Sequence, residues 1–362
     1  MKRDRLYPLS HAPVDFHFRQ TPADFVVTEI PLYTFSNEGE HLVLKIRKKS
    51  LTTWQMVDIL SSHLGIKARD IGYAGLKDKD AMTIQYISLN RKYEERAKEF
   101  SHPQIKVIES FYHSNKIRTG HLKGNRFFIR LKKVNPTDAK KIESLLEWIG
   151  KNGMPNYFGY QRFGREGDNY KIAQEIIEGK RRVRDRKRRD FLISAYQSHL
   201  FNLWLSKRVE ISRIFDGLKL KELKQIFEWN DEVIKKVAGE GHFFKLFPGD
   251  VASHYPHGKL FTIGNIKSES KRMQNREISP TGPLSGIKVK HSTGIAWEIE
   301  KEFIKDVPAQ GSRRYAWIWP EDIEGRYKDR EAHFELNFTL PKGSYATVLL
   351  EMVANRPIME DR

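Results

Sequence analysis

The chain contains no cysteine among its 362 residues. That absence excludes disulfides, thiolate nucleophiles and cysteine-based metal sites together. Long apolar runs are missing as well, and nothing reaches the roughly 20 residues that a membrane-crossing helix needs. The opening Met1-Lys2-Arg3-Asp4-Arg5 is not followed by an apolar core of signal-peptide type, so a cytoplasmic location is expected. No Walker phosphate loop, no G-x-G-x-x-G after a strand and no G-x-S-x-G elbow occurs. NTPases, Rossmann-type methyltransferases and serine hydrolases therefore lack support. His254 and His257 form an H-x-x-H, but Pro256 between them argues against one helix presenting both, and no third ligand stands nearby. A surface loop is the simpler reading, and no metal is expected there.

Acidic residues are in deficit: 46 Asp and Glu face 64 Lys and Arg, a formal net charge of +18. Such a surplus calls for a polyanionic partner, nucleic acid before an anionic membrane surface. A hydrophobic content of 39% with 12% aromatics marks a folded protein rather than a basic disordered one. The length suits two domains.

The amino-terminal part reads as mixed α/β. Leu42, Leu44 and Ile46 alternate with Val43, Lys45 and Arg47, the period of a half-buried strand. Thr52 and Gln55 fit a capping box, Trp54, Val57, Leu60 and Leu64 recur at helical spacing, and Gly65 stops the helix. Met82 to Leu89 is again strand-like, and Phe127, Ile129 and Leu131 share one face of a later strand. Asn135-Pro136 opens a helix that carries Ile142, Leu145, Leu146 and Ile149 and ends near Gly150 to Gly153. Beyond it come an aromatic, glycine-punctuated segment, a helix near Asn169 to Glu178, and a run from Lys180 to Arg189 in which eight of ten residues are basic. Phe191 to Arg208 reads as a helix with Leu192, Tyr196, Leu200 and Leu203 as its stripe. The stretch to about Ser312 reads as loop-rich, with Ser279-Pro280-Thr281-Gly282-Pro283 as turn chemistry. Phe334, Leu336, Phe338 and Leu340 then alternate as a closing strand. A basic, helical segment between two strand-rich ones suggests an insertion, with the last strands completing the first sheet.

The run Gly75-Leu76-Lys77-Asp78-Lys79-Asp80 lies between two strand-like segments. Lys-Asp-Lys-Asp is ordinary turn material, and alone it reads as a solvated turn. Its other reading is chemical: flanking lysines keep a carboxylate ionised, and an anionic carboxylate in a basic protein can attack a polyanionic substrate. Phe127 likewise reads as a core residue or as a platform for an unstacked base. The run at Lys180 to Arg189 reads as a solvated helix extension or, given its density, as a phosphate-contact surface through Arg181, Arg182, Arg186 and Arg188.

Five segments together resemble the TruD family of tRNA pseudouridine synthases. They are Pro22 to Glu29, Ala74 to Lys79, Leu122 to Phe127, Pro155 to Gly164 and Leu340 to Thr347, in family order. The resemblance implies an α/β (α+β) protein with a mixed, mainly antiparallel sheet flanked by helices and a second, inserted α+β domain. The catalytic domain is expected from 1–152 with 319–362, and the insertion at 153–318. The implied reaction isomerises a uridine of tRNA, at position 13, to pseudouridine on a flipped-out base without metal or cofactor. Asp78 falls on the catalytic aspartate and Arg19 on its basic partner; Phe25, Asn125, Phe127 and Tyr345 fall on substrate contacts, and Lys77 is a further phosphate candidate. The expected partner is tRNA, and the expected state a monomer. The competing classes are a non-catalytic RNA-binding or chaperone protein and an RNA methyltransferase, the latter disfavoured by the missing glycine-rich cofactor loop.

Overall fold

The computed structural model describes residues 5–164 and 166–358. They divide into two compact units. One comprises the amino-terminal stretch to Pro13, Glu147–Trp319 and Ser344–Pro357; the other comprises Val14–Leu146 and Pro320–Gly343, with Ile358. The cuts fall at other residues than the sequence division, since the first stretch and the final helix Ala346–Ala354 group with the middle of the chain. The helix Pro136–Asn152 runs across one of them.

The second unit is built on an eight-stranded sheet. Its strands are β1 (Phe25–Pro31), β2 (His41–Lys49), β3 (Gly72–Tyr73), β4 (Met82–Asn90), β5 (Ile105–His113) and β6 (Leu122–Lys132), joined by Glu321–Lys328 and His333–Pro341. The order is Glu321–Lys328, His333–Pro341, β6, β1, β4, β2, β5, with β3 pairing β4 off that path. Only β1 and β4 run parallel, so the sheet is mixed and mainly antiparallel, as expected. The closing strand pairs with β6 along its length, Phe338 opposite Phe127 and Leu336 opposite Ile129. Phe334, Leu336, Phe338 and Leu340 are all buried.

Helix α1 (Thr53–Leu64) covers one face of β2. Its capping box forms as read: Gln55 N–H donates to Thr52 Oγ1 at 3.1 Å and Thr52 N–H to Gln55 Oε1 at 2.9 Å. Gly65 closes the helix in a left-handed conformation, φ 66°. Its buried stripe is Thr53, Met56, Val57, Leu60 and Leu64, packed on Leu42, Leu44 and Ile46. Trp54, expected within that stripe, is instead 54% exposed, its ring edge-on to Tyr73. The helical face is set by Thr53 and Met56, each four residues before Val57 and Leu60 in turn, and position 54 lies off it.

The first unit is organised round a 32-residue helix, Arg186–Gly217. It extends beyond the expected Phe191 to Arg208 at both ends. Asp185 caps the helix by accepting from Arg188 N–H at 2.9 Å, so the second half of the basic run forms its exposed first turn. Phe201, Trp204, Leu205 and Val209 are fully buried, and Arg208 makes a buried bidentate pair with Asp250 at 2.6 and 2.8 Å. The middle stretch also holds more structure than its loop-like composition suggests. Among its elements are the helices Leu220–Ile226, Asp231–Ala238, Ile266–Gln274 and Gly294–Glu300. A four-stranded sheet runs in the order Ser312–Tyr315, Ile278–Leu284, Val251–His254, Leu260–Thr262.

The segment Ser279 to Pro283, read as a turn, is thus a buried strand. It pairs with Val251–His254 through Ile278, Ser279 and Pro280, then with Ser312–Tyr315 from Thr281 to Leu284. Because it changes neighbour at that point, Pro280 is paired with Val251–His254 alone and Pro283 with Ser312–Tyr315 alone, which suits residues that have no N–H to donate. Gly282 serves packing, since a Cβ there would lie 2.1 Å from the Trp204 ring. Among the described residues no helix is long and apolar enough to cross a membrane.

Candidate active site

The sequence places Asp78 on the loop between β3 and β4, and the fold clamps that loop on both sides of it. Gly72–Tyr73 pairs with the carboxy-terminal half of β4, so the chain must return along the sheet before re-entering it at Met82. Ala74 and Ala81 are buried at the two ends of the loop; Asp78, Lys79 and Asp80 are exposed at its turn.

Three side chains hold the loop. Thr53, buried at the start of α1, accepts from Lys77 N–H at 2.9 Å and donates to Gln85 Oε1 at 3.2 Å. Lys48 continues the buried stripe of β2 after Leu42, Leu44 and Ile46. Its ammonium donates to the Leu51 carbonyl at 2.6 Å and to the Asp78 carbonyl at 3.0 Å. Burial pulls the Lys48 pKa down to about 8; the Asp78 charge opposes this and Lys77 reinforces it. The third is Lys77, whose side chain is only 7% exposed and forms an ion pair with buried Glu29 at 3.0 Å. Lys77 Nζ also donates to Asn125 Oδ1 at 2.8 Å.

Glu29 and Asn125 meet because β1 and β6 place them directly opposite each other, with Val27 opposite Phe127 two residues away. Burial raises the Glu29 pKa, and the Lys77 charge and the Tyr86 N–H, which donates to Glu29 Oε1 at 3.3 Å, work against that rise. A side chain on Gly124 would put Cβ 2.3 Å from the Leu340 carbonyl, so glycine lets β6 approach the closing strand here. Phe127 packs against Phe338 and Phe25, ring centroids 5.4 and 6.1 Å away and planes within 27°, while Phe18 meets Phe25 edge-on.

The expected residues are therefore distributed unevenly. Asp78, Lys77, Asn125, Phe127 and Phe25 belong to one sheet-and-loop assembly. Lys77 is turned toward Glu29 and Asn125, a geometry that does not offer its ammonium to a phosphate. Phe127 is 6% exposed, a wall rather than an open shelf. Arg19 is exposed before β1 and forms no ion pair among the described residues, whereas Lys48 touches the Asp78 backbone. Tyr345 belongs to the other unit, 6.0 Å from the Phe158 ring. Arg181, Arg182, Arg186 and Arg188 are exposed there; Arg181 pairs with Glu175 at 3.2 Å and Arg186 with Asp190 at 3.8 Å.

Lys48 and Glu29 were not singled out by sequence reasoning. The signal for Lys48 was present: a lysine at the next position of an alternating apolar stripe is a buried cation waiting for acceptors.

A family model described as tRNA pseudouridine synthase D (TruD) matches residues 4–184 and 181–353. The tRNA pseudouridine synthase D of a Nitratiruptor species is 56% identical over 356 residues, covering 98% of this chain and 99% of that one. The protein of the same name from Wolinella succinogenes is 55% identical over 360 residues, covering 99% and 100%. A solved structure from Methanosarcina mazei, described as a putative tRNA pseudouridine synthase D (TruD), superposes with a TM-score of 0.70 at 20% identity, covering 98% of this chain and 97% of that one; it speaks for the fold alone. With a family match over most of its length and relatives more than half identical from end to end, the chain belongs to the TruD family.

Proposed function

We propose that the protein isomerises a uridine of tRNA, at position 13, to pseudouridine, with Asp78 as the nucleophile. The observation that carries this reading is the exposed Asp78 on a loop anchored by Lys48, Thr53 and Lys77. An exposed carboxylate on a pinned backbone is available to a substrate yet fixed in position, as nucleophilic catalysis requires. The carboxylate takes up the ribose carbon as the bond to N1 breaks. The uracil turns within the pocket, C5 joins the same carbon, and the carboxylate leaves. The C5 proton is released and N1 gains one, so the product is an isomer of the substrate.

The remaining residues divide the work. Phe25 and Phe127 line the place of the flipped base, Asn125 offers its amide to it, and Arg19 acts as the basic partner of Asp78. Tyr345 is a further substrate contact. The segment 153–318 acts as the insertion to the catalytic part, 1–152 with 319–362, and its arginines at 181, 182, 186 and 188 take phosphates. The enzyme works as a cytoplasmic monomer without metal or cofactor.

Treated tRNA should keep its mass yet gain carbodiimide-reactive positions, because pseudouridine is isomeric with uridine. Asp78→Asn should abolish that reactivity and leave tRNA binding nearly intact. Turnover retained in Asp78→Asn, or lost instead in Asp80→Asn, would assign the chemistry elsewhere. A gain of a methyl mass would make the enzyme a methyltransferase, and no change in either assay would leave an RNA-binding protein.

A further inference from the structure

Lysine has three N–H donors and no acceptor. The Asn125 atom that faces Lys77 Nζ at 2.8 Å is therefore the amide oxygen, and the amide cannot flip without setting donor against donor. Lys77 is itself held: its side chain is 7% exposed and Glu29, 1% exposed, lies 3.0 Å away on β1. At that distance the two charges form a close, buried ion pair. Asn125 Nδ2 makes no hydrogen bond among the described residues, and Asn125 is only half-buried. The side chain that by its chemistry could offer either a donor or an acceptor to a nucleotide is thus committed to donating.

We propose that the Glu29–Lys77 pair sets the polarity of Asn125, so that the target base is met by a fixed amide donor that accepts uracil and rejects cytosine. This rests on the reading of the site as a pseudouridine synthase. The reaction itself gives the fixed donor its value. Uracil has an approximate two-fold axis through N3 and C6, and half a turn about it exchanges N1 with C5 and O2 with O4. A donor aimed at one carbonyl before the turn meets the other carbonyl after it, so the contact survives the rearrangement. Cytosine carries O2 and an N4 amine. In one of the two orientations its amine would face the Asn125 amine, donor against donor, and a buried mismatch of that kind is strongly disfavoured. Lys77 and Glu29 act through Asn125 and are positioning residues.

The test uses single-turnover conversion of full-length tRNA carrying uridine, 2-thiouridine or 4-thiouridine at the target position, mapped first with the wild-type enzyme. A thiocarbonyl is a poor acceptor. Wild type should lose about three- to tenfold in rate with each thio base, the size of one hydrogen bond. The variant is Glu29→Leu with Lys77→Met, which replaces the buried ion pair by apolar side chains and leaves no orphaned charge. It should be slower on uridine and should lose most of its preference for uridine over either thio base. Because the readout is a ratio between substrates on one enzyme, a merely structural role would slow all three equally and leave the ratio as in wild type; that result overturns the proposal. So does a wild-type enzyme indifferent to both thio bases. Asn125→Asp, which keeps the shape but only accepts, should be slow on all three. Failure of the underlying reading has its own signature, a wild-type enzyme that converts no uridine at all.

Discussion

Replacing Lys48 by methionine should alter the pH dependence of stability more than stability at neutrality. In the folded protein burial holds the Lys48 pKa at about 8, against an ordinary lysine value of 10.5. Between those values the unfolded chain binds a proton that the native protein has released. Wild-type stability therefore gains from this group as the pH climbs from about 8 to 10.5, and that gain is lost as the pH falls back through 8. The displacement from 10.5 to about 8 is worth about 3 kcal/mol. Methionine does not titrate, so the difference in unfolding free energy between wild type and Lys48→Met should shift in favour of wild type by that order across the window, while every other group cancels. At neutral pH two effects oppose each other. The variant escapes the burial of an ammonium but leaves the Leu51 and Asp78 carbonyls without their donor, at roughly 1–3 kcal/mol for each unpaired group. Urea unfolding of both proteins below pH 8 and near pH 10 gives the difference directly. A difference that stays constant between the two would refute the idea that Lys48 is held as a buried ammonium. Pseudouridine formation followed in parallel should be slower in the variant, because the backbone of Asp78 has lost one of its restraints.

Glu240, which accepts from Leu246 N–H, is raised to about 8 by burial, so its contribution is complete below the ordinary 4.5 and is lost as the pH rises through 8; thermal unfolding of Glu240→Gln should depend less on pH across that window. Neutralising Arg181, Arg182, Arg186 and Arg188 together should weaken tRNA binding and lower the salt slope by roughly 0.7–0.9 for each arginine that reaches a phosphate. Binding isotherms at two salt concentrations measure this, and an unchanged slope would put the run away from the RNA. Phe127→Leu keeps most of the buried volume, so unfolding should change by less than about 1.5 kcal/mol, while the single-turnover rate drops about tenfold or more as the aromatic wall is lost. Equal losses in both would make Phe127 a core residue only.

Where a local rule had no competitor, the sequence could be read directly. The Thr52–Gln55 box, the Gly65 stop and the alternation from Phe334 to Leu340 all appear where their patterns put them. Trp54 misled because a large aromatic at helical spacing outweighs a threonine by eye, although Thr53 has both the buried position and the hydrogen bond to Lys77. Pro280 and Pro283 misled because proline marks turns until a strand changes partner between them, which only the pairing reveals. In the site, the charged run round Asp78 by itself reads as a solvated turn, and only the resemblance singles the carboxylate out; Lys77 was read by its charge alone. Its burial depends on Glu29, which lies far away along the chain and is brought near by the sheet, where β1 sits between β4, which follows the Lys77 loop, and β6, which carries Asn125.

The position of the strand His333–Pro341 has a consequence for how the protein is made. β6 lies between β1 and this strand, and the ring of Phe127 rests on Phe338, which leaves the ribosome about two hundred residues later. Until then β6 presents an open edge with its backbone groups unpaired, a surface on which nascent chains associate wrongly. The aromatic wall of the proposed site is therefore among the last parts to be completed. A chain released early, even with Asp78, Lys48 and Asn125 already synthesised, would carry the proposed nucleophile without the strand that Phe127 rests on, so incomplete products are expected to be silent on RNA rather than indiscriminate.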